Sequence, residues 1–324
     1  MHLGVCVKLY EWSKILVTGA LGQIGTDLTE ALRKKYGQNN VIATDIRTID
    51  NHPSVNNGIF QNLDVMETQK LIEICRNNDI GTIYHLAALL SAVGEKNPEK
   101  CREINIDGTI SILEAARICS LRVFAPSSIA VFGPDCPSHA SQSSPLNPTT
   151  VYGQTKVIGE KLAREYWEIH GVDTRGIRYP GLISYKSPPG GGTTDYAVEI
   201  FHSAINHGHY EFFVEPNTTL PMLYMDDAIR ATLSLMDSPS ESLGIFRSGF
   251  NVSGITFTAQ ELASKIEERI EGFKYSFVPD HRQKIADSWP DSIDDSISRK
   301  EWNWSSQFDL DSMVDAMFEG IENT

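Results

Sequence analysis

The feature that most constrains this chain is Lys14-Ile-Leu-Val-Thr18 running straight into Gly19-Ala-Leu-Gly22-Gln-Ile-Gly25. A short apolar, β-branched run reads as a buried strand, and the residues that follow, to about Tyr36, carry a helical pattern. Glycines at such a junction let the backbone turn tightly. They also let a phosphate approach the first helical N–H groups, which favour negative charge. A plain flexible turn would use glycine too; the strand before and the helix after give the pattern its weight. An acid, Asp45, ends the next apolar run (40–45) at the distance expected for a ribose contact.

The unit repeats. Apolar runs at 82–88, 122–128 and 173–179 alternate with helical stretches at 67–77, 98–118 and 148–170. Strands that are apolar throughout imply a parallel sheet covered on both faces, and right-handed crossovers make it doubly wound. The expected fold is therefore α/β, a Rossmann-type doubly wound parallel sheet, with a smaller mixed C-terminal lobe. Beyond Gly181 the texture changes: 188–194 reads as a loop. Helices are expected near 195–208, 226–237, 258–271 and 308–321, and short strands near 245–252 and 274–278. The expected division is a dinucleotide-binding domain over 1–181 and a substrate-binding lobe over 182–324. Segments near 222–255 are expected to return to the first. Ligands should sit at the carboxyl ends of the strands, between the two.

Composition narrows the partners. A formal charge of −14 argues against nucleic acid, because phosphate binding wants a basic surface. No apolar run has the length to span a bilayer. Cys6, Cys75, Cys101, Cys119 and Cys136 are odd in number and scattered without a CxxC pair. They read as reduced thiols, with no metal site expected. The first fourteen residues lack an Arg-rich amphipathic face and carry Glu11, so no targeting segment is expected there. Cytoplasm or mitochondrial matrix is the expected compartment. Asp45 favours NAD over NADP, since a carboxylate accepts a 2′-hydroxyl and repels a 2′-phosphate. Arg47 is near enough to soften that preference, although a solvated surface role is the simpler reading. Asp64-Val65 could read adenine, or Asp64 could cap the helix that follows.

Tyr152 and Lys156 stand four residues apart in a helical stretch, so they share a face. A phenol is no base at neutral pH until a nearby cation favours its ionised form, and Lys156 can supply that charge. Ser127-Ser128, upstream, offers a hydroxyl to hold a substrate oxygen. These residue types fit proton abstraction from an alcohol during hydride transfer. Alone, YxxxK is a pattern chance produces often.

Five motifs then coincide: Gly19-Ala-Leu-Gly-Gln-Ile-Gly25, Tyr84-His-Leu-Ala-Ala88, Asn105-Ile-Asp-Gly-Thr109, Ser127-Ser-Ile-Ala-Val-Phe-Gly133 and Tyr152-Gly-Gln-Thr-Lys156. In order and spacing they resemble the extended short-chain dehydrogenases/reductases over about residues 14–237. The resemblance implies Tyr152 as acid/base, Lys156 lowering its pKa and binding the nicotinamide ribose, and Ser128 rather than Ser127 orienting the substrate oxygen. It implies that Asn105 steadies the active-site helix and that His85 walls the cofactor pocket. The implied NAD contacts are Gly19, Gly22, Gln23, Ile24, Gly25, Asp45, Arg47, Asp64, Val65, Leu86, Ala87, Ala88, Asn105, Tyr152, Lys156 and Tyr179.

Tyr179-Pro-Gly-Leu-Ile-Ser-Tyr185, Gly190-Gly-Gly-Thr-Thr-Asp-Tyr196 and Leu220-Pro-Met-Leu-Tyr-Met-Asp-Asp227, with Ala88-Leu-Leu-Ser91 and Ser288-Trp-Pro290, narrow the resemblance. Together they look like the short-chain type of L-threonine 3-dehydrogenases. That implies NAD-dependent oxidation of the threonine β-hydroxyl to 2-amino-3-ketobutyrate. Substrate contacts would come from Ser91, Ser128, Tyr152, Gly181, Thr194 and Trp289. Ser91 and Thr194 would hold the carboxylate and ammonium, and Trp289 would close over the methyl group or serve as a core aromatic. A nucleotide-sugar epimerase is the rival, with Arg178 and Arg230 as scattered phosphate candidates. A non-catalytic NAD sensor is another. Family resemblance also suggests a homodimer through helices 98–118 and 148–170, which carry apolar residues on more than one face.

Overall fold

The computed structural model describes residues 13–186, 190 and 192–323. The expectations for residues 1–12, His2 and Cys6 among them, and for Pro188, Pro189 and Gly191 lie outside the described residues.

Six strands form the main sheet: β1 (Lys14–Thr18), β2 (Val41–Asp45), β3 (Phe60–Asn62), β4 (Ile80–His85), β5 (Arg122–Phe124) and β6 (Thr174–Arg175). Their spatial order is β3-β2-β1-β4-β5-β6 and every pairing is parallel. This is the doubly wound Rossmann order, which reverses direction at β1 and opens a crevice beyond the carboxyl ends of β1 and β4. Both faces are covered. On one, α1 (Gln23–Tyr36) buries Leu28 and Leu32 with Val17, Ala43 and Phe124. On the other, α2 (Thr68–Asn77) and α3 (Gly108–Cys119) bury Leu71, Ile72, Ile112 and Leu113 against Leu16, Ile42 and Ile83.

The helix expected over 98–118 is three pieces. Pro98–Arg102 is α-helical, Glu103–Asp107 forms a wider π-helical turn, and α3 continues from Gly108. Such a bulge inserts a residue and re-aims the side chain within it; here that residue is Asn105. Helix α4 (Val151–His170) starts at Thr150, whose Oγ1 accepts from Gly153 N at 3.1 Å. It stops at Gly171, where φ is +68. That geometry is free for glycine and costly for other residues.

A second core gathers around the helix Tyr196–His207 and the sheet Gly181–Ile183, Thr219–Tyr224, Ile255–Thr258. The helix Met225–Asp237 instead joins the β1–α1 core through Ala228 and Leu235, as Phe250 and Val252 do. The strand expected over 245–252 is only Phe250–Asn251. Strands β3, His209–Phe212 and Thr219–Tyr224 have no counterpart among the expectations. Among the described residues no helix is long and apolar enough to cross a membrane.

Candidate active site

The turn after β1 is built around absent side chains. Gly19 has φ +70, and a Cβ there would come within 2.6 Å of Ala87 N. A Cβ at Gly25 would collide with the Gly19 carbonyl oxygen. Gly22 is the N-cap of α1, so no side chain occupies the helix terminus. The first N–H groups of α1 face the crevice uncapped, as an anion requires. Leu86 N donates to Thr18 O at 3.0 Å, which brings Leu86, Ala87 and Ala88 alongside this cradle.

Asp45 is buried at the end of β2 and accepts from Leu21 N at 3.1 Å, tying the glycine turn to the second strand. Arg47 folds back on it, with Nε 3.0 Å from Asp45 Oδ1, while remaining mostly exposed. Arg47 is thus a solvated surface residue that also pairs with the carboxylate. Asp64 Oδ1 accepts from Met66 N at 3.0 Å, just ahead of the helix, whose N-cap is Glu67. Val65 packs in the core, against Gly108. An NAD nucleotide fits these groups: uncapped helix N–H donors for the pyrophosphate and a carboxylate acceptor for a ribose hydroxyl.

Tyr152 and Lys156 face one another on α4, Nζ lying 5.6 Å from the ring centroid. Close packing fixes the start of the helix, since a Cβ on Gly153 would overlap Ala130 O. Glu95 Oε1 accepts from Val151 N at 2.7 Å and from Tyr152 N at 3.3 Å, holding that terminus from the opposite side. Ser128 supplies the third group. Its hydroxyl is near enough to favour the ionised Tyr152 phenol and accepts from Ala130 N at 3.2 Å. Lys156 Nζ donates to Pro126 O at 3.0 Å.

The electrostatics differ from the expectation that Lys156 lowers the phenol. Burial pushes Tyr152 up to about 12, against the lowering effect of the Ser128 hydrogen bond. Burial also brings Lys156 down to about 8, opposed by the nearby Cys101 and Glu160. His85, buried beside Lys156, falls to about 3 and is neutral; its Nδ1 lies 2.9 Å from Thr18 Oγ1.

Two residues expected at the cofactor have side chains engaged within the protein. Asn105 Oδ1 accepts from Leu89 N at 2.8 Å, and its Nδ2 donates to Leu89 O and to Thr155 Oγ1 at 3.0 and 3.1 Å. Its amide is taken up in bracing the segment after β4 against α4. Tyr179 is buried in the core, its hydroxyl bonded to Thr232, so its side chain is turned away from the crevice.

The residues expected on the substrate side sit in separate local contacts. Ser91 is buried and opens the short helix Ser91–Lys96. Gly190 lies against Leu90, whose Cδ1 would be 3.2 Å from a Cβ at the glycine. Thr194 packs on Gly181, where a Cβ would come within 2.8 Å of the threonine Cβ. Trp289 is half-buried between the second core and a small cluster of Ile129, Val131, Phe132 and Ile293. Three residues escaped sequence reasoning: Glu95, Cys101 beside Asn105 at 3.4 Å, and Glu160. Only Glu160, one turn beyond Lys156, carried a local signal.

The family model for the NAD-dependent epimerase/dehydratase family matches residues 15–247. The chain belongs to the NAD-dependent epimerase/dehydratase family. Within this family it is 45% identical over 311 residues to an uncharacterized epimerase/dehydratase of Staphylococcus haemolyticus, covering 95% of this chain and 98% of that one. Among solved structures it resembles a monomeric L-threonine 3-dehydrogenase from a metagenome, in its apo form. That match has 49% identity and a TM-score of 0.92, covering 95% and 99% of the two chains. It also resembles the holo form of a GalE-like L-threonine dehydrogenase of Cupriavidus necator, at 45% identity and a TM-score of 0.91, covering 94% and 99%. An NAD-dependent epimerase/dehydratase family enzyme acting on a small molecule agrees with both the cradle and the Tyr-Lys-Ser group.

Proposed function

We propose that this enzyme oxidises L-threonine at its β-hydroxyl to 2-amino-3-ketobutyrate, with NAD+ as oxidant. The observation that carries the reading is one cleft edge. There Lys156 shares a cavity wall with Ala87 and Ala88, the segment alongside the glycine cradle, and Tyr152 packs near Gly94 of the helix that Ser91 opens; the roles of Ser91, Gly190, Gly181 and Thr194 are part of the proposal. The likeness to L-threonine dehydrogenase structures over nearly the whole chain supports it.

When bound at the cradle, NAD+ supplies a hydride acceptor and a positive charge beside the phenol. Gly19, Gly22 and Gly25 with the α1 terminus would hold its pyrophosphate, and Asp45 its ribose. Lys156, held near 8, is mostly protonated at neutral pH; its ammonium and the charge of bound NAD+ would together oppose the burial that raises the Tyr152 phenol, whose own proton passes to solvent. Tyr152 then takes the proton of the substrate hydroxyl as the carbonyl forms. Ser128 donates to the same oxygen, an interaction that strengthens as the C–O bond shortens. Small hydroxyl and backbone groups of Ser91 and Thr194 hold the amino-acid head.

A nucleotide-sugar substrate fits less well. Arg178 is buried in an ion pair with Glu160, and Arg230 is taken by Asp227, by Ser305 O and by the Trp304 ring. Neither guanidinium is free for a second diphosphate.

The test is NADH formation on mixing the purified protein with NAD+ and L-threonine, with L-serine and UDP-galactose alongside. Tyr152→Phe should lower turnover roughly a hundredfold to ten-thousandfold and leave NAD affinity within a few-fold. Interconversion of the sugar nucleotide without net NADH, and no reduction with threonine, would reverse the assignment.

A further inference from the structure

Behind the Tyr152–Lys156 pair, on the side away from the substrate, lies a buried charged cluster that the reaction as described does not use. Glu160 is one helical turn past Lys156 and two past Tyr152 on α4. Ser127 Oγ donates to Glu160 Oε1 at 2.5 Å. Arg178 meets the same carboxylate with both arms of its fork, Nε to Oε1 and Nη2 to Oε2, each at 2.8 Å. Arg178 is itself fixed, donating to Gln142 O and Asn251 Oδ1 at 3.2 Å. A bidentate guanidinium–carboxylate pair defines position and direction, not only charge.

The backbone makes room for this pair. A Cβ at Gly249 would lie 2.5 Å from Glu160 Cδ, and the carboxylate cannot swing aside because both of its oxygens are bonded. Between Lys156 and Glu160 is a small cavity of about 30 Å³, lined also by His85, Asn105, Ser127 and Ser248.

The strand segment Pro126–Ser128 is thereby attached to α4 at two points. Lys156 holds Pro126 O, and Glu160 holds Ser127 Oγ. Ser128 is the next residue along, and its hydroxyl is the one that favours the ionised Tyr152 phenol. We propose that Glu160, oriented by Arg178, is a positioning residue: through Ser127 it clamps the Ser128 strand to the catalytic helix and sets the Ser128–Tyr152 approach. It touches neither substrate nor cofactor. Its charge has a second consequence, because it favours the Lys156 ammonium. The other groups facing that ammonium are Tyr152 on α4, His85 on β4, held neutral, and Cys101 from the helix Pro98–Arg102.

The inference rests on the dehydrogenase reading for its kinetic test but not for its spectroscopic one. Full-length wild type, Ser127→Ala, Glu160→Gln and Gly249→Ala are compared in kcat, KM for threonine and NAD+, pH profile and thermal midpoint. Ser127→Ala leaves the buried ion pair complete and is the variant least able to disturb the fold. It should lower kcat about tenfold, as loss of a hydrogen bond to a charged group predicts, with both KM values within about threefold. Glu160→Gln should add a shift of the alkaline limb to lower pH, because Lys156 then loses its proton sooner. Independently, the ionisation of Tyr152 is followed by NMR on ring-¹³C-labelled tyrosine, with Tyr152→Phe assigning the signal. It should move upward in Ser127→Ala and Glu160→Gln as the Ser128 hydrogen bond loosens. Unchanged kcat and unchanged Tyr152 titration in folded Ser127→Ala would overturn the clamp. So would variants whose only defect is a lower thermal midpoint. If wild type reduces no NAD+ with threonine, the substrate assignment falls, and the tyrosine titration still decides the clamp.

Discussion

Asp45 shows how much one side chain does at this cleft. Its carboxylate accepts from Leu21 N and from Arg47, whose exposed side chain would swing aside to admit a ribose hydroxyl, and so links the glycine turn, β2 and the crevice mouth. Asp45→Ala removes the acceptor for a ribose hydroxyl and the tie on the turn together. Charged hydrogen bonds are worth about 1.5–3 kcal/mol, so NAD+ affinity should fall roughly tenfold to a hundredfold. Affinity for NADP+ should fall less, because Arg47 is released and the repelling carboxylate is gone. Calorimetric titration with both dinucleotides checks this; equal losses for the two would remove Asp45 from discrimination. The cradle was legible because its signal is local: three glycines, a strand and a helix within a dozen residues. The bracing role of the Asn105 amide was legible only through the family motif; its partners Leu89 and Thr155 lie 16 and 50 residues away, beyond any local pattern. Glu95 is hidden for the same reason, bonding the terminus of α4 across 56 residues. The burial of the Tyr179 ring, with its hydroxyl on Thr232, was hidden for the same reason, since that partner lies 53 residues away.

At the scale of elements, the strands that could be read were those buried on both faces. Thr219–Tyr224 was missed because Pro221 sits inside it, and proline argues against a strand with neighbours on both sides. Packing overrides that preference: Leu220, Met222 and Tyr224 are all in the second core. The edge where β6 meets the returning segment is held differently, by charge. Asp173, just before β6, pairs with Arg175, Arg247 and Arg122. Burial alone would raise its carboxyl, but the Arg175 hydrogen bonds and the three guanidinium charges bring it below the ordinary value. A depressed carboxyl contributes stability that is present above its unfolded pKa and is lost as pH falls through the folded one. Asp173→Asn leaves buried cations unpaired and should cost about 3 kcal/mol at pH 7. The gap from wild type should narrow below about pH 4, where the unfolded carboxyl begins to take up its proton. Urea unfolding of both proteins at pH 7 and pH 3.5 measures it; a pH-independent gap would mean that the charge contributes nothing.

For the whole molecule, the neighbouring helices α3 and α4 bear on how copies of the chain associate. Ile158 and Ile169 of α4 are 37% and 67% exposed, and eleven residues, about three turns, put them on one stripe. Ile118, 40% exposed, ends the neighbouring α3, and the Tyr166 hydroxyl bonds Glu114 at 2.5 Å, tying the two helices together. Single exposed apolar residues need no explanation, but three on adjoining helices, with ion-paired Glu114 and Arg117 beside them, suit a self-complementary contact about a two-fold axis. The expected outcome of sedimentation equilibrium is a species of twice the 36.0 kDa chain mass. Replacing Ile158 and Ile169 by glutamate should yield the chain mass, because four carboxylates would face one another across the axis. Neither residue touches the cleft, so turnover per chain should survive the change. A wild-type chain that sediments at its own mass at micromolar concentration would assign the exposed isoleucines to ordinary surface and leave the catalytic unit a single chain.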